Sequence, residues 1–568
     1  MKFSINFHIL KKPYLIIFSL IWSLLFSVSL MKYQGSAFAF TLFSFSFLIL
    51  LFLGFYKNKS YAFMYLAVFL WLGFWTKLVA HLLLDYEYIE PIGVFSGSTG
   101  EWDQVLWVST IACLGVIIGR FLYAILNFKV ADDNQNNNVY PEWYPTIRIK
   151  VWALFIVIVI LATVSNTVLG INQIGLSPRT ILPWPLNALI SWIVSIGGVM
   201  GLTTLIWWDI SLKKGVYPAL FAITIEAFIS SISLFSRGVF IFHSIPQFIA
   251  LYKNKLLDNF SKKRLAIVGC FILIFFVLSL AIVSVLRANF YSQDGITTTT
   301  KSQISLNRLE VLKGGIARVK KLIRQGGDHK AHLAELLIEQ EGLQMKVSNS
   351  TSDFRLKLIK ENEDTREIPD SINDKNVIID HQVQFDRINE SVALKEFYYQ
   401  LTQGVFLKVL SLSVDRWVGL EGIMAVVSYP NKGRALIIDA FVEKRTLGGV
   451  TKYQEIANSK YQWVDSNVWQ FASLPGAVAF LYFSGSFWII LFGMILFAFL
   501  VQFLEFLIYK GTRNPILCSL LGVSLANYVA QFGIAPAQGS VYLFMIFVGI
   551  LAIVIVQNLK LITNKLFS

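Results

Sequence analysis

The residues able to do chemistry in this chain are few, and they lie in polar breaks between long apolar stretches. Ser236-Arg237-Gly238 is one such break. Glu226 lies about three helical turns before it, and His243 falls within the apolar stretch that follows. A second group is Asp415-Arg416-Trp417 with Glu421, followed by the turn Tyr429-Pro430-Asn431-Lys432-Gly433-Arg434. Arg179 stands in Ser177-Pro178-Arg179, and Arg287 closes another apolar stretch. Guanidinium groups grip phosphate oxygens bidentately, so several of them at one membrane surface would suit a lipid-linked diphosphate. A carboxylate or an imidazole can take a proton from an attacking hydroxyl. The plain alternative is a set of surface ion pairs, with Arg237 reaching toward lipid headgroups. A charge inside an apolar stretch needs a partner or a water-filled cavity. For Glu226 that partner would be Lys77 or Arg120.

Other polar groups carry weaker signals. The loop 85–104 holds Asp85, Glu87, Glu90, Glu101 and Asp103 without a basic residue. It reads as a solvated loop, or as a source of sugar-binding or catalytic carboxylates. His329 and His332 form an H-x-x-H pair with no cysteine nearby, which reads as a solvated helix face rather than a metal site. Walker A, H-E-x-x-H and G-x-S-x-G motifs are absent from the sequence.

The elements that must position these residues are membrane spans. Only 15% of the 568 residues are charged and 55% are hydrophobic, with mean hydropathy +0.60. A soluble chain of this size would carry about 25% charged residues. Cys113, Cys270 and Cys518 all fall in apolar runs, which argues against a disulfide framework and a cysteine zinc site. A helix needs about 20 apolar residues to cross a bilayer. Twelve stretches qualify: 13–31, 36–56, 61–84, 105–127, 151–170, 186–208, 216–235, 238–252, 265–287, 485–508, 515–535 and 540–557. The eighth contains Pro246 and is expected to be kinked or tilted. The first has no small-residue cleavage site after it and reads as a span, not a leader.

Lys and Arg in short loops mark the cytoplasmic side. With the N-terminus inside, nineteen of them fall on the inner side. Three, Lys32, Arg179 and Arg237, fall in short outer loops. The expectation is therefore an all-α, multi-pass protein with both termini cytoplasmic. The net charge of +14 is a topology signal spread over the inner segments, not a nucleic-acid surface.

About 185 residues separate the ninth and tenth spans, too many for a structureless loop. The chain divides into residues 1–287 with nine spans, an outer domain at 288–472, and residues 473–568 with three more spans. In the outer domain, 303–345 has the periodicity of amphipathic helices, 346–386 is polar, and 390–430 is apolar with interspersed charges. That last stretch suggests helices lying on the membrane surface. Residues 473–484 are expected to lie at the outer interface, leading into the tenth span.

This pattern resembles the Wzy-type O-antigen polymerases and the related O-antigen ligases. The resemblance rests on spans with cytoplasmic ends and one large late periplasmic loop. It rests also on Phe235-Ser236-Arg237-Gly238, on the Arg-bearing stretch Asp415 to Arg434, and on Leu474-Pro475-Gly476 through Tyr482, Gly485 and Ser486. It implies a metal-independent, cofactor-free glycosyltransferase of a Gram-negative inner membrane. Its substrate would be an undecaprenyl-pyrophosphate-linked oligosaccharide, its surroundings membrane lipid, and its partner a chain-length regulator protein. The product would be O-antigen or a related surface polysaccharide of the lipopolysaccharide class. The resemblance puts Arg237, Arg287, Arg416 and Arg434 on the pyrophosphate, with Arg179, Lys432 and Tyr429 as further substrate contacts. Glu421, Asp415 and His243 are the candidate bases, in that order. The rivals are a ligase-like transferase of the same fold and a polysaccharide or lipid transporter. A transporter would more commonly show paired halves, which the nine-plus-three arrangement does not.

Overall fold

The computed structural model describes residues 13–56, 58–84, 88, 90–126, 140–258, 260–293, 414, 417–444, 450–459 and 473–558. The proposed helices of 303–345, the polar stretch 346–386, His329, His332, Asp415 and Arg416 lie outside the described residues. By compactness the chain forms two units, one of Met1–Ser284 with Leu412–Ser568 and one of Val285–Ser411. Within the described residues the second unit holds only the last turns of one long helix, and Arg287 lies on them.

The described residues form helices and no strands. They are α1 (Pro13–Lys32), α2 (Ala37–Phe55), α3 (Tyr61–Leu84), α4 (Thr99–Ile125), α5 (Tyr144–Leu169), α6 (Leu186–Ser211), α7 (Tyr217–Ser233), α8 (Arg237–Lys253) and α9 (Lys262–Gln293). After the large segment come three short helices, α10 (Leu420–Ser428), α11 (Arg434–Val442) and α12 (Lys452–Ile456). Then follow α13 (Gly476–Tyr482), α14 (Phe487–Thr512), α15 (Pro515–Ala530) and α16 (Pro536–Gln557). Eight of these helices are long and apolar enough to cross a membrane; the apolar parts of α1, α7 and α15 are shorter. Helix α8 runs through Pro246, whose carbonyl accepts the Ser519 hydroxyl at 2.6 Å.

Helices α3, α4, α14 and α15 pack together at the centre, while α5, α9 and α16 leave most of their apolar surface exposed. Among membrane helices apolar burial gives little drive to associate, so close backbone packing matters more. Gly115 and Gly119 form a G-x-x-x-G face on α4. A side-chain carbon at either would run into the Leu491 or Ile495 carbonyl of α14.

Polar contacts gather at the two ends of the bundle. At one end Asp103 accepts from the Tyr33 hydroxyl and the Ser36 N–H, both at 2.8 Å. At the other, Glu505 of α14 accepts from the Ser60 hydroxyl at 2.6 Å, the Tyr61 N–H at 2.8 Å and the Ala62 N–H at 2.7 Å. Glu505 thereby satisfies the orphan donors that begin α3. Lys253, closing α8, lies over the Tyr61 ring at 4.5 Å and so belongs to the Glu505 end. Arg237, at the start of α8, stands about 24 Å away along the helix, at the Asp103 end.

Two segments near the large loop are packed inside protein. Residues 420–428 are one. All of them but Ser428 are buried, with α10 wedged against α4 and α13. In the segment before α14, every residue of α13 except Leu481 is buried, because α13 packs on α4, α10, α14 and α15. Glu421 aside, both helices are apolar all round, and such a helix belongs inside protein.

Replacing Glu505 by Ala leaves two backbone N–H groups and a hydroxyl without their buried acceptor. We expect a loss of about 2–3 kcal/mol, read from reversible unfolding in mixed micelles. An unchanged unfolding midpoint would contradict the capping role.

Candidate active site

Lys77 stands in the middle of an apolar helix, a position a lone ammonium cannot hold without a partner. Its partner comes from 344 residues away: the Glu421 carboxylate accepts Lys77 Nζ at 2.6 and 2.7 Å. The two side chains are 1% and 3% exposed. Helix α3 widens into a π turn, Leu72–Thr76, directly before Lys77. Such turns recur at functional positions. The Gly73 and Gly419 backbones meet so closely that a side-chain carbon at either would collide with the other segment. This contact holds the start of α10 against α3, with Glu421 in its first turn.

Further titratable groups surround the pair. Tyr453 of α12 is buried. Burial pushes its phenol well above its ordinary range, and the charges of Glu421 and then Glu90 add to that shift. Tyr453 therefore stays a neutral hydroxyl close to two carboxylates. His81, one turn after Lys77, stacks on the Tyr88 ring at 3.5 Å between centroids. Trp417 stacks on Phe69, which in turn contacts Phe242 of α8, so aromatic rings run from the entrance of α10 to α8.

The other residues singled out from the sequence are placed as follows. His243 is buried, and its Nδ1 lies 3.1 and 3.3 Å from the two Glu226 oxygens, with the Ser230 hydroxyl donating to Glu226 at 2.7 Å. The expected partners of Glu226 are thus corrected. Lys77 is taken by Glu421, and Arg120 donates to Gln502 at 3.0 Å and lies over the Phe63 ring. Lys432 caps α10, donating to the carbonyls of Val426, Val427 and Tyr429 at 3.2, 2.7 and 2.6 Å. An ammonium has three donors, so this amine has none left for phosphate. Burial pulls it below its ordinary range, and the charge of Glu101 partly offsets that. Tyr429 is half-buried in the same turn, and the Gly433 N–H bonds the Phe483 carbonyl at 2.8 Å. Arg434 is exposed at the start of α11. Arg179 is exposed, and its guanidinium reaches the Thr167 carbonyl at 3.4 Å, near the end of α5. Arg237 is half-buried, and its Nε is buried without a hydrogen-bond partner.

The acidic loop is structural in part. Asp103 ties α1 and α2 to α4, and Glu101 accepts from the Ser96 N–H and hydroxyl at 2.7 and 2.8 Å. Among the described residues no group of three or more His, Cys, Asp and Glu is arranged to hold a metal ion. Tyr453, His81 and Tyr88 are members of the site that sequence reasoning missed. The one available signal was Lys77 itself, a charge in an apolar helix.

No protein family, curated protein or solved structure matches the chain. The site is therefore read from its own chemistry: a buried ion pair at a π turn with a neutral phenol close to it.

Removing one member of a buried pair leaves an uncompensated charge. Lys77→Met should cost about 3–5 kcal/mol, and adding Glu421→Leu should recover most of it. Unfolding of the two variants in micelles checks this. A double variant no more stable than the single one would show that the charge is not the source of the loss.

Proposed function

We propose that the chain is a twelve-span enzyme of a bacterial inner membrane that joins undecaprenyl-pyrophosphate-linked oligosaccharide units at the periplasmic face. In this reading both termini are cytoplasmic and the large segment between α9 and α13 is periplasmic. What supports the reading is the packing of α10 and α13, from either end of the described residues 417–444, 450–459 and 473–485, against α4. That packing seats an acid from the large loop on Lys77 of α3. A reaction on a lipid-anchored substrate needs its acid and base there, at the depth where a diphosphate meets the lipid tail.

The roles follow from the groups. The lipid tail lies along the bundle. A sugar hydroxyl of one unit attacks the anomeric carbon of the other, and the lipid pyrophosphate leaves. Arg237, Arg287, Arg416 and Arg434 stabilise the charge that grows on that leaving group, as an anion hole does. Glu421, held by Lys77, accepts the hydroxyl proton, and Tyr453 donates a hydrogen bond beside it. Asp415 and His243 are the alternative bases. The metal-independent mechanism rests on guanidinium charge alone.

One observation favours a second reading. The His243–Glu226 pair is buried between α7 and α8, and intramembrane ionisable pairs serve as proton relays in transporters. Proton-coupled export of a glycan lipid is the alternative.

The test is glycan length on a gel from a deletion strain. Collapse of long chains to a single capped repeat is expected. Free lipid-linked polymer with bare lipid A core would mean a ligase, and unchanged glycan would sink both. In the complemented strain, Lys77→Met with Glu421→Leu should restore the fold but not the long chains. Arg237→Ala should cut polymer output by about 10²–10³, the usual effect of losing one charge-stabilising donor.

A further inference from the structure

The loop between α5 and α6 is held against the α7–α8 turn by one side chain. The Asn166 amide donates to the carbonyls of Asn172 and Ser233 at 3.0 and 2.9 Å and to the Ser233 hydroxyl at 3.0 Å. Its oxygen accepts the Asn172 N–H at 2.8 Å. Two residues on, the Ile174 N–H bonds the Leu234 carbonyl at 2.9 Å. Gln173 is thus fixed on both sides by backbone contacts, three residues along from which Arg237 begins α8.

Gln173 is 4% exposed, yet neither its amide nitrogen nor its amide oxygen has a hydrogen-bond partner. Arg237 Nε at the neighbouring turn is also buried without one. Buried amide atoms are nearly always paired, and leaving them unpaired is unfavourable. A fold that fixes such donors in place points to a ligand that completes them. The loop that carries Gln173 exposes apolar residues: Ile174 is 47% exposed, Ile181 76% and Trp184 85%. An exposed tryptophan among apolar residues at a bundle end is an interfacial anchor.

We propose that Gln173 and Arg237 form a seat for the phosphate of a membrane lipid. The Gln173 amide and the Arg237 guanidinium donate to the phosphate oxygens, and the acyl chains lie over Ile174, Ile181 and Trp184. The seat stands on this geometry; it shares Arg237 with the proposed glycosyl transfer, while Gln173 belongs to the seat alone, so Gln173→Leu separates the two readings. The seat would persist in a transporter.

The test uses the full chain purified in detergent and given phosphatidylglycerol, with inorganic diphosphate as a separate arm. Retained lipid is counted by native mass spectrometry, and the unfolding midpoint is read in parallel. The natural protein should hold phosphatidylglycerol and gain thermal stability from it. Gln173→Leu and Arg237→Gln should each hold about tenfold less, the worth of one charge-assisted hydrogen bond. Gln173→Leu carries a second signature that a merely damaging change would not produce. Without lipid it should unfold about 2 °C above the natural protein, because it removes an unpaired buried amide. With phosphatidylglycerol that order should reverse. Equal lipid retention by the natural protein and Gln173→Leu would overturn the proposal. Equal stabilisation by inorganic diphosphate alone would overturn the lipid assignment. Should Arg237→Gln fail to fold, Gln173→Leu decides the matter alone.

Discussion

The arrangement depends on a buried ion pair joining residues 344 positions apart in sequence. An ammonium within α3 is intolerable alone, and so is a carboxylate in the apolar turn of α10. Each makes the other possible. With Glu421 fixed on Lys77, α10 must enter the bundle end, and α13 follows to cover it. Gly73 and Gly419 allow the backbones to approach closely enough for the pair to close. The three carbonyls that end α10 then need donors, and Lys432 supplies them from the next turn.

The same logic recurs wherever a polar group enters the apolar bundle. Glu505 is buried because it terminates the orphan N–H groups of α3. Asp209 receives Arg148 bidentately at 2.7 and 2.6 Å, with the Tyr144 hydroxyl at 2.7 Å. Asn166 spends all its donors and its acceptor on two loops. Gln173 differs from these groups, because both of its amide atoms are buried without a hydrogen-bond partner, and Arg237 Nε is likewise unpartnered. Titratable groups crowd around Lys77. Stability would have been served better by apolar residues in both places. Sites that forgo stability in this way are commonly functional.

The helices were legible because each apolar stretch is long, and eight of them are long and apolar enough to cross a membrane. Every one of the twelve stretches falls on a helix. The segments after the large loop were not legible to the same degree. Asp415, Arg416 and Glu421 give the stretch around α10 a surface-like charge pattern. Apart from Glu421, the residues from Leu420 to Val427 are apolar or glycine, which signals burial, and the two cues conflict. Only the three-dimensional pairing of Glu421 with Lys77 resolves them. Pairing itself was out of reach, since nothing in a single sequence says which carboxylate answers a lone lysine. Hydropathy offers Lys77 or Arg120 as partners for Glu226, but His243, nearly two turns into the neighbouring helix, takes that place. Gln173 gave no signal, since a glutamine in a loop is ordinary until its burial is known.

The outer-face glycan polymerase proposed above would unite these features: a lipid-linked substrate would reach the bundle from the side, arginines would meet its diphosphate, and Glu421, anchored on Lys77, would face the reacting sugar. The most direct measurement is polymerisation by the purified protein in sealed vesicles, supplied with undecaprenyl-pyrophosphate-linked repeat units and no ion gradient. The account predicts a ladder of lengthened glycans on a gel, with lipid pyrophosphate released in step. Units that remain single, or that cross the bilayer without lengthening, would contradict it.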